Sequence, residues 1–317
     1  MANCPEFERP IIELQEKIEE LQSLNEGKSG GLEKEIKKLK ERLSKVREEV
    51  LSNLSPWEKV ELARHPNRPY TLNYVKYLFK DWVELHGDRR FADDKAIVAG
   101  IGRLGGVSFV VVGHEKGRNV KERISRNFGM PHPEGYRKAL RVMELGGKFG
   151  IPIVTFVDTP GAYPGIGAEE RGIAMAIAEN IKGIAVIPVP IIVIITGEGG
   201  SGGALGIGIG DRIYMQKFAI YSVISPEGCA SILWRDQKYK ADAAEALKLT
   251  ARDLKELNVI DGIISEPLGG AHSDPEGASR LLGEAIIKVY NELRDVQPSE
   301  LIDKRIEKFG RMGFFKE

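Results

Sequence analysis

The residues best placed for chemistry in this sequence are glycines. In Gly197-Glu-Gly-Gly-Ser201-Gly-Gly203 they follow an apolar, β-branched run, Ile191–Ile195. Small residues continue at helical spacing through Gly202, Gly203, Gly206 and Gly210. The pattern predicts a buried strand, a tight turn and a short helix packed close to its neighbours. Glycine permits positive φ in such a turn. It also leaves backbone N–H groups uncovered at a helix N-terminus. Aligned N–H groups bind negative charge.

Three chemistries fit this one stretch. Gly197-x-Gly199-x-x-Gly202 matches a dinucleotide fingerprint. That reading needs an acid about 20 residues on; Asp211 comes early and Glu227 late. Gly199-x-Ser201-x-Gly203 matches a hydrolase nucleophile elbow, with His272 as the only downstream histidine and Asp261 as its orienter. The third reading is an oxyanion hole formed by the Gly202 and Gly203 amides. A packing turn with no ligand is the plain alternative. A Walker A loop is excluded, because Gly203 stands where that motif needs lysine. The oxyanion reading gains from a second glycine-lined turn, Gly161-Ala162-Tyr163-Pro164-Gly165, which also follows an apolar strand and opens a helix. One pocket would then take backbone donors from both turns. On this reading Gly203→Val should spare folding.

The elements that must hold these turns follow from periodicity. From Ala96 the chain reads as α/β. Ala96–Ile101, Val107–Val112, Ile151–Asp158 and the run from Ile191 are strands, each feeding a polar loop at its carboxyl end. Sites gather at such ends. Upstream, Thr71 looks like the cap of a helix through Val75, Leu78, Phe79 and Trp82. Residues 1–55 read as a helical hairpin, with a seam of Leu32, Ile36, Leu39, Leu43, Val46 and Val50 against Ile11, Leu14, Ile18 and Leu21. The break falls at Asn25–Gly31. Residues 56–295 form the main domain, and 296–317 a charged, peripheral tail. Lys116, Arg118, Lys121, Arg123 and Arg126 suggest a cationic rim for a phosphate-bearing ligand, as do Arg137, Lys138 and Arg141 further on.

Composition removes other classes. Lys+Arg and Asp+Glu both number 46, so no global field favours nucleic acid or an anionic membrane. Cys4 and Cys229 are too few for a disulfide framework or a cysteine-based zinc site, and a reducing cytoplasm is the simplest compartment. The longest apolar run, near Ile184–Ile195, is interrupted by Pro188 and Pro190 and is too short to span a bilayer. No metal site is expected in the chain.

Several long motifs resemble one family. They are Arg64-His-Pro-Asn-Arg-Pro-Tyr-Thr71, Arg126-Asn-Phe-Gly-Met-Pro131, Pro133-Glu-Gly-Tyr-Arg-Lys-Ala-Leu140, Asp158–Gly165, Gly167-Ala-Glu-Glu-Arg-Gly172, Gly197–Ala204 and Tyr221–Trp234. Together they look like the carboxyltransferase α subunits of bacterial-type acetyl-CoA carboxylase; beyond about residue 295 the likeness is weak. The resemblance implies a crotonase/ClpP-like ββα superhelix. It implies carboxyl transfer from carboxybiotin, carried on the biotin carboxyl carrier protein, to acetyl-CoA, giving malonyl-CoA for fatty acid biosynthesis. It further implies a β subunit bearing zinc, an α2β2 assembly, and biotin carboxylase as a further partner. Gly202 and Gly203 would hold the biotin ureido oxygen, while Gly161–Gly165 and Gly199, Gly200 and Ser201 line the pocket. Lys116 and Arg118 are the candidates for substrate contact, and Ser201 becomes a turn residue. A non-catalytic assembly subunit with vestigial glycine loops is the alternative from another class.

Overall fold

A computed structural model describes residues 5–26 and 32–313. Eight strands form one sheet: β1 (Lys80–Glu84), β2 (Ile97–Leu104), β3 (Val107–His114), β4 (Ile153–Thr159), β5 (Ile191–Gly200), β6 (Arg212–Gln216), β7 (Ile220–Ser222) and β8 (Gly262–Ile264). Their order is β1-β2-β3-β4-β5-β6-β8, and β7 pairs with the far end of β5. β1, β2 and β3 are antiparallel; from β3 onward the pairs are parallel. Parallel neighbours need crossovers, and helices supply them.

Period-2 alternation sorts the strand residues onto two cores. Ile191, Val193 and Ile195 join Val110, Val112 and Ile153 on one face. There they meet Val142 and Met143 of one crossover helix and Ile184 of the next. Ile192 and Ile194 face the other way, with Val154, Phe156, Tyr74, Leu282 and Ile286. A sheet covered on both faces needs uninterrupted apolar runs, which is why β5 reads as one.

The helices are α1 (Arg9–Glu26), α2 (Glu33–Ser52), α3 (Pro56–Ala63), α4 (Thr71–Leu78), α5 (Val120–Ser125), α6 (Pro133–Phe149), α7 (Ile166–Glu170), α8 (Ile173–Ala185), α9 (Ser201–Leu205), α10 (Pro226–Leu233), α11 (Lys240–Ala246), α12 (Ala251–Glu256), α13 (Pro275–Leu293) and α14 (Pro298–Gly310). Helices α1 and α2 form the expected hairpin, burying Ile11, Ile18 and Ile36. Asn25 and Glu26 belong to α1, and the rest of the expected break, 27–31, lies outside the described residues. The hairpin's base grips the body, where Leu51 and Leu54 pack on Leu62 and Phe218.

Two expectations fail here. The helix beginning near Thr71 stops at Leu78, and Trp82 lies on strand β1. Gly100 and Gly102 of β2 explain this. A Cβ at Gly100 would lie 2.6 Å from the Trp82 ring, and one at Gly102 would lie 2.9 Å from Phe79 Cβ. These two aromatic side chains therefore fill a trough on β2 that a continued helix could not reach. Thr71 is also not the cap: Tyr70 holds that position, and the Thr71 hydroxyl donates to His114 O at 2.6 Å.

Nor is the segment after Pro298 peripheral. Helix α14 buries Leu301 and Arg305. The Arg305 guanidinium donates to both oxygens of Asp211, at 2.9 and 2.8 Å. It also donates to the carbonyls of Ile184, Ala185, Ile187 and Val189, closing the end of α8. Asp211 in turn accepts from Ile191 N–H, the first residue of β5, at 2.7 Å. Breaking a buried pair leaves one charge uncompensated. Arg305→Met should therefore lower unfolding stability by about 3–5 kcal/mol, read as a lower urea midpoint at unchanged slope. A loss below about 1 kcal/mol, the level of a surface pair, would return α14 to the periphery.

Candidate functional site

The two glycine turns meet at the carboxyl ends of β4 and β5. Strand β5 does not stop at Thr196 as its apolar run suggests; it continues to Gly200, paired with β4 on one side and β7 on the other. Helix α9 starts at the next residue. The only positive φ in this stretch belongs to Ser201, at 51°, and not to a glycine. The glycines serve close approach instead. A Cβ on Gly200 would lie 2.2 Å from Pro160 O, and one on Gly203 would lie 2.4 Å from Gly161 C. A Cβ on Gly199 would meet the Tyr221 ring at 2.8 Å. The turns thus interlock backbone to backbone, which only residues without a Cβ allow. Gly202 differs: its nearest neighbour in that direction is Ile177 Cδ1, at 3.7 Å.

The two turns do not contribute donors equally. Gly161 N–H donates to Thr159 Oγ1 at 3.1 Å, and Tyr163 N–H donates to Pro131 O at 3.0 Å. The Tyr163 ring folds over Gly165 and packs on His132 with centroids 4.2 Å apart. Two amides of Gly161–Gly165 are therefore spent on bracing the turn as a wall, at Gly161 and Tyr163. The first amides of α9 have no acceptor within their own helix. That helix spans only five residues, so its dipole adds little to the amides themselves.

Beside Gly202 lies a slot of about 280 Å³, lined by Ser201, Gly202, Leu205, Tyr221, Ser222, Val223, Leu247 and Leu254. Burial lifts the Tyr221 phenol to about 12, so it stays neutral. Two residues overlooked in the sequence steady α9 from behind. The Tyr136 hydroxyl donates to Gly203 O at 3.2 Å, and its ring lies against Gly206. Asn180 Nδ2 donates to both Tyr136 O and Gly206 O, each at 2.9 Å. The Pro133–Leu140 motif carries Tyr136, but nothing in its spacing points to α9. Under the same turn, His114 is fully buried; burial above all, then Lys116, drives its imidazole down to about 3, leaving it neutral.

The basic residues sort differently from the expected rim. Lys116 turns inward, with Nζ 2.6 Å from Asp158 Oδ1. Arg118 lies over the Tyr70 ring and donates to Pro66 O at 2.8 Å. Arg126 donates to Lys95 O, and Arg123 to Gly117 O. Lys121 is exposed. Arg137 is held by Asp88 and Lys138 by Asp93, while Arg141 donates to Gly87 O. Two acids from the 86–95 loop, Asp88 and Asp93, thus occupy Arg137 and Lys138, which looked unopposed in the sequence.

The competing chemistries lose their partners. Asp211 is held by Arg305, and Glu227 by Arg64, so neither acid is poised for a ribose. His272 Nε2 sits 2.8 Å from Glu8 Oε1, and Asp261 pairs with Lys308. Among the described residues no hydrogen bond joins Ser201 to His272 or Asp261. Glu8, His65 and His272 do bring three ligand-type atoms within 4.8 Å. Asn67 N–H, however, donates to His65 Nδ1 at 3.2 Å. A neutral imidazole that accepts at Nδ1 carries its proton on Nε2. That nitrogen, 3.6 Å from Glu8, therefore faces the carboxylate as a donor and not a metal ligand. The cluster is a clasp between the segment before α1 and the body.

A family model described as acetyl co-enzyme A carboxylase carboxyltransferase-like matches residues 4–313. The chain belongs to that family. The match runs through α14, where the motifs had given little. Among its relatives is the acetyl-coenzyme A carboxylase carboxyl transferase subunit alpha of Geobacter metallireducens, 56% identical over 98% of each chain. The subunit of the same name from Thermus thermophilus is 54% identical over 98% of this chain and 99% of its own. Solved structures that resemble it include transcarboxylase 12S, at a TM-score of 0.58 and 20% identity over 73% of this chain and 43% of that one. The beta subunit of P. aeruginosa geranyl-CoA carboxylase gives 0.55 at 18% identity, over 78% and 46%. These establish the crotonase-like carboxyltransferase fold. The chain is a carboxyl transferase subunit of a biotin-dependent family, and the alpha designation of its relatives implies a beta partner. Among the described residues no helix is long and apolar enough to cross a membrane.

The steric contrast between the two central glycines gives a direct test. Gly203→Ala forces its methyl into the Gly161–Ala162 backbone and should cost at least about 1–3 kcal/mol. Gly203→Val, expected above to spare folding, should cost more. Gly202→Ala meets open space and should be neutral or stabilising by up to about 1 kcal/mol. Thermal denaturation of both alanine variants measures this, and equal shifts would show that the turns do not interlock.

Proposed function

We propose that this chain supplies the carboxyl-donor half of a carboxyltransferase site, with the Gly202 and Gly203 amides directed at an oxygen that becomes negative during transfer. The observation that carries this reading is the open face of Gly202 beside an apolar slot, at the end of a strand fixed on both sides. The donor is carboxybiotin on a biotin carboxyl carrier protein and the acceptor is acetyl-CoA, giving malonyl-CoA. Biotin supplies a ureido group whose oxygen takes up charge as the carboxyl leaves.

The slot fits such a group. Its walls are apolar or neutral, and Leu205, Val223, Leu247 and Leu254 suit a small bicyclic ring. Gly202 and Gly203 N–H donate without transferring a proton, so the charge is stabilised with no acid to reload. The absent side chain at Gly202 lets a flat group approach the backbone. Ser201 holds the turn in its left-handed conformation and takes no covalent step. Gly161–Gly165 limits access of water from the β4 side. Arg118, on the loop after β3, and Lys121, on α5, are the exposed cations for an anionic substrate or carrier.

A β subunit completes the site in an α2β2 assembly, brings the zinc ribbon and seats most of acetyl-CoA. Biotin carboxylase recharges the carrier, and the assembly works in the cytoplasm. The test is carboxyl transfer by the purified chain with and without its β subunit: activity should appear only with both. In that complex Gly202→Val should lower kcat by about 10²–10³, with assembly intact because the position is open. Ser201→Ala should stay within a few-fold of wild type. Wild-type turnover by Gly202→Val would sink the oxyanion assignment. Labelling of Ser201 by a fluorophosphonate would favour a hydrolase instead.

A further inference from the structure

Beneath the two turns runs a chain of charged groups that links five elements. Asp158, on β4 two residues before Pro160, is almost wholly buried. Its Oδ1 accepts from Glu198 N–H of β5 at 2.9 Å and from Lys116 Nζ at 2.6 Å. The Asp158 carboxylate lies flat on β5, since a Cβ at Gly197 would be 2.4 Å from Oδ1. Lys116 Nζ is also 3.9 Å from Glu198 Oε2. Glu198 accepts from Arg64 Nε and Nη2 at 3.0 and 2.6 Å, and Arg64 Nη1 reaches Glu227 of α10 at 2.6 Å. Two cations thus hold three carboxylates. Burial would lower the Lys116 pKa, but Asp158 and Glu198 outweigh it and raise it, so the ammonium keeps its proton.

We propose that Lys116 is a positioning residue, whose ion pair with Asp158 sets the spacing between the Gly161–Gly165 wall and the Gly199–Gly203 turn. The geometry leaves it little freedom to do otherwise. The wall hangs from β4 just beyond Asp158, and the amide-bearing turn hangs from β5 just beyond Glu198. The ladder between these strands is irregular here: regular pairing stops at Val157↔Ile195 and resumes only at Thr159↔Gly199. Where the ladder shifts, side-chain bonds must hold the strands in its place. Asp158 makes the shorter of the two such bonds, beside Thr196 Oγ1 donating to Val157 O at 3.4 Å, and Lys116 neutralises it. Gly129 fixes the lysine from above, since a Cβ there would lie 2.5 Å from Lys116 Cγ. A side chain pinned in this way does not swing out to a phosphate. This departs from the substrate-contact role its sequence position suggests.

The kinetic part of the inference rests on the carboxyl-transfer reading above, so the experiment has an arm that does not. Hydrogen exchange of the full chain is followed by mass spectrometry for Lys116→Met, Asp158→Asn and Lys116→Arg. Exchange over residues 158–165 and 197–206 should quicken about tenfold in the first two, while β2 and β3 keep wild-type protection and Lys116→Arg recovers most of the loss. In the complex with the β subunit, kcat should fall about tenfold or more with the KM for acetyl-CoA unchanged. The double variant should lose little beyond either single one, as expected of residues acting through one contact. Asp158→Asn, nearly isosteric and still able to accept from Glu198 N–H, carries the test should Lys116→Met fail to fold. Unchanged exchange at both turns overturns the proposal. So does a raised KM at wild-type kcat in Lys116→Met, which would make Lys116 a substrate contact. Absence of carboxyl transfer by the wild-type complex would count against the function, while the exchange result would still decide the network.

Discussion

The site depends on one constraint: two loops from adjacent parallel strands approach at backbone distance. Gly200 lies against Pro160, and Gly203 against Gly161 and Ala162. No side chain can separate them, so the amides after β5 are placed by the peptide backbone. Such a placement is stiff because each loop is braced twice. Thr159 and Pro131 hold the β4 turn through its own amides, and Tyr136 and Asn180 hold α9. Donors that need not reorganise as charge develops are the ones that contribute most to rate.

A second level of order is electrostatic. Almost every charged side chain near the site is paired inward, including Lys116, Arg64, Glu198, Asp158 and Glu227. Buried pairs of this kind add little net stability, because desolvation offsets attraction. Their value here is geometric: each fixes an element that the hydrophobic core would tolerate in several registers. The same logic holds at the far end of β5. There Arg305 and Asp211 set where the strand begins, as Asp158 and Glu198 set where it ends.

Much of this was legible in the sequence, and the reasons are specific. Strands β2 to β5 announced themselves because a sheet covered on both faces demands unbroken apolar runs. The glycine-rich stretches do fall at the ends of β4 and β5, but Gly197–Gly200 extend the strand and the physical cause of the glycines was misread. In the β5 turn positive φ belongs to Ser201, and Gly199, Gly200 and Gly203 answer to contacts with Tyr221, Pro160 and Gly161, which only the folded chain reveals. Long-range partners were invisible for the same reason. Nothing local shows that Asp93 meets Lys138, that Asp211 meets Arg305 across the body, or that Phe79 and Trp82 fill a trough at Gly100 and Gly102. Helix periodicity continued through those aromatics, and the tertiary contact overrode it.

The slot beside Gly202 also explains why such a chain would work as half of a site. Its lining holds two hydroxyls and a phenol kept neutral by burial, with no carboxylate, imidazole or amine. The nearby histidine, His114, is buried and neutral, and Asp158 and Glu198 are bound to cations. On the proposed reading this chain stabilises a negative oxygen, and its slot offers no group to take a proton from a carbon acid. A complete transfer needs that proton taken elsewhere, by the donor group once its carboxyl has left or by a partner's residues. A surface that holds charge without titrating is suited to a donor that must release its carboxyl only when the acceptor is in place.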